Sequence, residues 1–253
     1  MKNIRILIFL ASLIIFSFSK LILLKAKMIY LTLFFSSLLV IFIIIYINKF
    51  SLLKKKWYSF VFLPIFFMIS LNLYTSIIAN PIIIYALFFL NSFFIYLYLR
   101  TIYYYLIRVD IYKKKSLENV TSYGSFLIIF FSSSFIYGLQ SILNINISLV
   151  IPLLIPLLIL VIYNVILVNE IKIKEGLIFV FLNSLILLEI AWVISFLPLK
   201  FNILGLVFTL CYYILIGLTR FYLKKIIEPR IIKLYLWFGL SSMLIVLLTS
   251  QWR

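Results

Sequence analysis

The chain of 253 residues is 66% hydrophobic, 19% aromatic and only 11% charged, whereas a soluble domain carries about 25% charged residues; this composition indicates an integral membrane protein. Its formal net charge of +17 comes from short basic segments beside hydrophobic runs, a pattern that is typical of membrane boundaries and argues against nucleic acid as a partner. One cysteine and no histidine exclude an intramolecular disulfide and remove the commonest ligand of haem, zinc and copper, so we expect neither a metal nor a cofactor.

Hydrophobic segments long enough to cross a bilayer recur from one end of the chain to the other. They predict an all-α, polytopic membrane protein with about nine transmembrane helices in a single domain over residues 1–253. A count of eight stays open, because only Lys25, Ala26 and Lys27 separate the first two segments. The first segment is expected to be retained rather than cleaved as a signal peptide. The predicted spans are 6–24, 28–48, 57–78, 81–99, 122–143, 147–168, 176–197, 202–219 and 234–250.

The basic residues are divided unequally between the two sides of the predicted spans. If the amino terminus is cytoplasmic, all but five of the 23 basic residues lie in the inner segments. Because cytoplasmic segments of membrane proteins carry an excess of Lys and Arg, we predict a cytoplasmic amino terminus. The five outer basic residues are Lys20, Lys25, Lys27, Lys200 and Arg253.

Glu189 is the only acidic residue deep within a predicted span, and Trp192 follows it by about one helical turn. Inserting an acidic residue near a helix centre costs about 2.5–3.5 kcal/mol, which the surrounding Leu and Ile residues can offset. Two interpretations stay open. Glu189 is either a proton-linked, cation-linked or substrate-binding group, or a carboxyl that bonds a polar group of a neighbouring helix. Lys20 is the one basic residue predicted at comparable depth, so it could pair with Glu189.

Three further polar residues inside predicted spans are candidates for the same intramembrane site. Asn72 is in the outer half of the third span, Asn91 is near the middle of the fourth, and Gln140 is near the outer end of the fifth. Each alone is typical of a bond between helices, whereas together with the acidic residue they would form a small polar cavity open to the outside. Pro152 and Pro156 remove two backbone donors one turn apart and predict a bent or broken sixth span.

Basic residues alternate with tyrosines at the predicted inner surface, in particular around Tyr96 and from Tyr103 to Tyr105. Such segments predict contacts with anionic lipid headgroups, with a phosphorylated lipid carrier or with an acidic protein partner. The candidate contact residues are Arg100, Arg108, Lys113, Lys114, Lys115, Lys224, Lys225 and Arg230.

Four short segments resemble a family of uncharacterised multi-pass membrane proteins from bacteria with AT-rich, reduced genomes. These segments are Glu189-Ile190-Ala191-Trp192, Leu197-Pro198, Tyr212-Tyr213 and Gln251-Trp252. The resemblance covers mainly the last 75 or so residues. It implies a bacterial origin, and hence the inner membrane, but no activity.

Signatures of catalysis are missing from the sequence. The six glycines form no phosphate-binding motif, and the acidic residues outside the predicted spans are scattered rather than clustered for magnesium. The sequence therefore favours a noncatalytic accessory or partner subunit that contacts protein or lipid. The alternative is a small transporter or substrate-binding membrane subunit with an outward-facing polar site around Glu189, and a weaker alternative is an enzyme of lipid or cell-wall glycan assembly.

Overall fold

The structure is a computed structural model that describes residues 2–24, 28–51, 57–108, 111–112, 116–169, 171, 173–226 and 228–250. Within these ranges every regular element is helical, and nine helical segments are long and apolar enough to cross a membrane. The prediction of an all-α fold with nine spans is confirmed. The first two spans are separate helices, and the residues predicted to join them, Lys25 to Lys27, lie outside the described ranges.

Two compact units divide the chain inside its fifth helix: Met1–Ser125 and Phe126–Arg253. The single domain over residues 1–253 stays a prediction. Unit 1 contains α1 (Lys2–Leu24), α2 (Met28–Lys49), a 3-10 helix (Trp57–Phe60), α3 (Phe62–Thr75), α4 (Pro81–Ile107) and the start of α5 (Ser116–Leu143). Unit 2 contains the rest of α5, then α6 (Ile147–Val150), a 3-10 helix (Ile151–Leu153), α7 (Leu154–Val168), α8 (Ile173–Ile194), α9 (Phe201–Leu223) and α10 (Pro229–Thr249).

In unit 1, one face of α1 is buried against α2 and α4. The buried residues Ile4, Ile8, Ala11 and Ile15 recur every three or four positions, so they form a single stripe along the helix. Helix α4 runs back along α1, and its first residue, Pro81, is preset for a helix start because its φ angle is fixed. This arrangement brings the beginning of α1 beside the end of α4.

In unit 2, the sixth predicted span is interrupted where Pro152 lies. Helix α6 ends at Val150, a 3-10 turn containing Pro152 follows, and α7 begins at Leu154. Pro156 falls in the first turn of α7, where a missing backbone N–H leaves no helical bond broken. The regular α-helix of the sixth span is therefore interrupted at Pro152 by one 3-10 turn, while the helical span continues to Val168.

Small residues bring α5 and α9 close together in unit 2. A Cβ atom at Gly205 of α9 would lie 2.9 Å from the backbone nitrogen and Cα of Ser134 in α5. The Gly205 carbonyl accepts hydrogen bonds from Thr209 Oγ1 at 2.6 Å and from Ser133 Oγ at 3.3 Å. Close packing through glycine and serine is the common way for helices to associate without a hydrophobic driving force.

Candidate functional site

An exposed stripe follows one face of α8 in unit 2. Its members recur every three or four residues, so they share one side of the helix. All are large and apolar except one acidic residue. The α8 stripe consists of Ile178, Phe181, Leu182, Leu185, Ile186, Glu189, Trp192 and Val193.

Glu189 lies within this stripe, five residues before the end of α8 at Ile194. Its side chain is exposed. Among the described residues of unit 2, no hydrogen bond or ion pair reaches its carboxyl group. The expected bond between Glu189 and a polar group of a neighbouring helix is thus not found within the unit that carries it. Trp192 is beside it on the same face and is 41% exposed.

The opposite face of α8 makes the polar contacts that hold the helix in place. Asn183 Nδ2 donates a hydrogen bond to Thr219 Oγ1 of α9 at 3.1 Å. The buried Tyr137 hydroxyl of α5 donates to the Ala191 carbonyl at 3.0 Å. These two bonds fix the rotation of α8, and they direct the carboxyl of Glu189 away from the core of unit 2.

The other predicted intramembrane polar residues are divided between the two units. Asn72 and Asn91 are buried in unit 1, and Gln140 is half-buried in unit 2. Asn72 Nδ2 donates to the Met68 carbonyl at 2.7 Å. The side-chain oxygens of Asn72 and Asn91 have no hydrogen-bond partner among the described residues. A cavity shared by these residues and the acidic group of α8 stays a prediction, as does the pairing with Lys20, whose ammonium group lies 4.5 Å from the Phe16 ring centroid.

A cleft with a volume of about 230 Å³ lies in unit 1 where α1 begins and α4 ends. Helix α1 contributes one arginine and one isoleucine, and α4 contributes three tyrosines and another arginine. We call it the arginine cleft; it is lined by Arg5, Ile8, Tyr96, Arg100, Tyr103 and Tyr104.

The two guanidinium groups of the arginine cleft share one aromatic ring. The Cζ atoms of Arg5 and Arg100 each lie 5.7 Å from the Tyr104 ring centroid. Arg5 Cζ is also 5.7 Å from the Tyr103 centroid, and Arg100 Cζ is 6.0 Å from the Tyr96 centroid. Cation–π attraction stabilises both positions. No acidic side chain lines the cleft in the described part of unit 1.

Tyr103 adds an unused polar group to the cleft. Its side chain is 0% exposed, and its hydroxyl has no hydrogen-bond partner among the described residues. By contrast, the buried Tyr98 hydroxyl, on another face of α4, donates to the Phe60 carbonyl at 3.0 Å. A buried hydroxyl without a partner is costly, so the Tyr103 hydroxyl is a candidate ligand-binding group.

The structure brings only one of the predicted inner-surface basic residues into this cleft, Arg100. Arg108 directly follows the last residue of α4 and does not line the cleft. Lys224 and Lys225 follow the end of α9, and Arg230 is exposed in the first turn of α10, all in unit 2. Lys113, Lys114 and Lys115 lie outside the described residues.

Arg5 lines the cleft but was not among the predicted contact residues. The available signal was the predicted cytoplasmic amino terminus, which places Arg5 on the same side as Arg100. Its contact with the tyrosines of α4 depends on the pairing of α1 with α4, which are not neighbours in the sequence.

Comparison with known proteins yields a family and no activity. A family profile described as "Protein of unknown function (DUF5656)" matches residues 51–249. The match takes in Arg100 and the α8 stripe but not Arg5, and it is much longer than the resemblance over the last 75 or so residues. No curated protein and no solved structure matches the chain.

Proposed function

We propose that this chain, which belongs to the DUF5656 family of proteins of unknown function, is a noncatalytic partner subunit of a membrane assembly. The α8 stripe is its docking surface. The occupant is a transmembrane helix of a partner protein that carries a basic side chain at the depth of Glu189. The single observation that supports this proposal is the exposed Glu189 carboxyl, which has no partner among the described residues of unit 2.

Charge complementarity is the physical reason for this choice of occupant. An acidic group on a lipid-facing helix surface is costly, because the hydrocarbon offers it neither water nor a hydrogen-bond donor. A basic side chain on a neighbouring helix supplies both the opposite charge and the donor. The large apolar residues on either side of Glu189, including Leu185 and Val193, would pack against that helix.

The exposed position of Glu189 favours docking over transport. A transporter would hold the carboxyl in a water-filled cavity between helices, where several polar groups converge on the substrate. Glu189 instead lies on the outer surface of α8 among apolar side chains. We place the assembly in the bacterial inner membrane with the amino terminus in the cytoplasm, a location that the unequal distribution of basic residues supports.

Site-directed photocrosslinking in native membranes tests the docking surface. A photoreactive phenylalanine derivative at Leu185 or Val193 should yield one discrete protein adduct, whereas the same residue at Leu244 of α10, which is also apolar and exposed, should not. Mass spectrometry identifies the adduct and the partner helix. Glu189→Lys should abolish the adduct, and exchange of the partner's basic residue for Glu should restore it.

Three outcomes would overturn the proposal. Adducts with lipid alone would mean that the stripe faces the bilayer. Adducts with a second copy of the chain would mean that the stripe mediates self-association and does not bind another protein. The third outcome is reaction of a water-soluble thiol reagent with Glu189→Cys in a Cys211→Ser background. That reaction would place position 189 in a water-filled path and favour the transporter alternative.

A further inference from the structure

We infer that the arginine cleft of unit 1 binds the phosphate group of an anionic membrane lipid. The inference is independent of the docking surface on α8, because the two features share no residue. Its basis is that two arginines and a buried tyrosine, whose hydroxyl has no hydrogen-bond partner among the described residues, line one cleft of about 230 Å³.

The two arginines supply the charge for a phosphate. A guanidinium group binds phosphate through two parallel hydrogen bonds, which makes arginine the preferred side chain for this anion. Arg5 and Arg100 approach the same Tyr104 ring from different helices. Two like charges that line one cleft repel each other, and an anion bound in the cleft would attract both. No carboxylate that lines the cleft in the described residues competes for this position.

The Tyr103 hydroxyl supplies the donor that completes the site. It is fully buried, lines the same cleft and lacks a hydrogen-bond partner among the described residues. An oxygen of a phosphate group accepts hydrogen bonds only, so it would satisfy this hydroxyl as well as the guanidinium groups. The unsatisfied hydroxyl is an observation separate from the charges, and both indicate an anionic ligand.

The surroundings of the cleft favour a lipid as the source of the phosphate. Arg100 is seven residues before the end of α4, so it lies about 10 Å inside the helix end at a rise of 1.5 Å per residue. Ile8 gives the cleft an apolar wall. A second cleft of about 390 Å³ shares Arg100 and Tyr104 with the first and is also lined by Leu97 and Val120. This adjoining space suits the glycerol backbone and the first carbons of the acyl chains.

Native mass spectrometry of the full-length protein tests the site. The protein is reconstituted in vesicles of phosphatidylcholine and phosphatidylglycerol and released gently, and the lipids that stay bound are counted. We expect one phosphatidylglycerol per chain in the wild type. In Arg5→Gln/Arg100→Gln its retention should fall about ten-fold or more, because two charge-assisted contacts are lost.

Matched variants distinguish specific lipid binding in the cleft from nonspecific attraction by surface charge. Lys174→Gln/Lys233→Gln removes two positive charges from exposed positions of α8 and α10 and should retain the lipid as the wild type does. Tyr103→Phe removes only the buried hydroxyl and should lower retention by roughly three- to ten-fold. Tyr123→Phe, at an exposed tyrosine of α5, should have no effect. If the double arginine variant does not fold, Tyr103→Phe decides the question with Tyr123→Phe as its control.

The same experiment contains the results that overturn the inference. Equal lipid loss in the Lys174→Gln/Lys233→Gln control would show that nonspecific charge attraction retains the lipid. Full retention in Tyr103→Phe would show that the hydroxyl does not bind the lipid, and the inference of a specific phosphate site would be wrong. Displacement of the lipid by an excess of inorganic phosphate or glycerol phosphate would mean that the cleft takes a soluble phosphate compound instead of a lipid.

Discussion

The arginine cleft of unit 1 and the α8 stripe of unit 2 both carry charged groups that form no ion pair with the described residues of their own unit. They differ in shape. In the cleft, Arg5 and Arg100 converge from two helices on one aromatic ring. In the stripe, Glu189 stands alone on the convex surface of one helix. A site for a small ligand therefore needs several side chains that converge on one cleft, whereas a single charged group on an exposed helix face needs a second protein to surround it.

In each of these regions a buried tyrosine hydroxyl makes a hydrogen bond two residues along the helix from the charged group, either from Tyr98 itself or to the Ala191 carbonyl. The Tyr98 hydroxyl bonds the Phe60 carbonyl and orients the part of α4 that carries Arg100. The Tyr137 hydroxyl bonds the Ala191 carbonyl and orients the part of α8 that carries Glu189. The two regions can therefore be perturbed separately by equivalent substitutions.

The largest expected effect comes from adding a side-chain carbon at Gly205, where α9 packs closely against α5 in unit 2. Gly205→Ala should destabilise the protein by about 1–3 kcal/mol, because the added Cβ meets backbone atoms of Ser134, which cannot move independently. Thermal unfolding in detergent measures the loss. Gly217→Ala is the control, since its Cβ would meet the side chain of Tyr235, which can rotate away. Equal destabilisation by the two substitutions would contradict this account of the crossing.

Reversing the charge of Arg100 or of Glu189 should abolish one binding property and leave the other intact. Arg100→Glu places a carboxylate beside Arg5, so an internal ion pair should replace the phosphate and lipid retention should fall by about ten-fold or more. Glu189→Arg should prevent the photocrosslink from Val193 and leave lipid retention unchanged. Counting bound lipid and crosslinked product in both variants checks the prediction. Loss of both signals in either variant would mean that the two features are coupled.

The spans were predictable from sequence because an uninterrupted apolar run of about 20 residues has few alternatives to crossing a bilayer. Helix ends were less predictable. The fourth span was predicted to end at residue 99, whereas α4 continues to Ile107, and the fifth was predicted from residue 122, whereas α5 begins at Ser116. Hydropathy locates the part of a helix that suits lipid, but backbone hydrogen bonding continues into the polar boundary, where tyrosine and arginine are favourable.

The two sites were predictable only in part. The tyrosines around Arg100 marked the basic end of α4, but Arg5 was missed because hydropathy contains no information on which helices become neighbours. Glu189 was identified by its acidic side chain, yet its exposed position was not predicted. Helix α8 is apolar on all sides, so the periodicity of its sequence does not determine which face turns outward. Tertiary contacts through Asn183 and Tyr137 decide it.

Removal of either buried tyrosine hydroxyl should have a smaller and local effect. Tyr98→Phe and Tyr137→Phe should each cost about 0.5–1.5 kcal/mol, since each loses one hydrogen bond. Tyr98→Phe should lower lipid retention at the arginine cleft and spare the crosslink from α8, and Tyr137→Phe should do the reverse. Thermal unfolding with both binding assays measures this. If each substitution impaired both assays equally, the tyrosines would act on overall stability and would not position the charged groups.

The smallest expected effect is that of the bond between Asn183 and Thr219, which joins α8 to α9. Polar bonds between membrane helices contribute about 0.6 kcal/mol on average, because the separated helices also find partners. Asn183→Leu and Thr219→Val, combined in a double-mutant cycle, should therefore show a coupling below about 1 kcal/mol by reversible unfolding in detergent. A coupling of several kcal/mol would indicate that this bond contributes more than the bond from Tyr137 to the orientation of α8, and thereby to the outward position of Glu189.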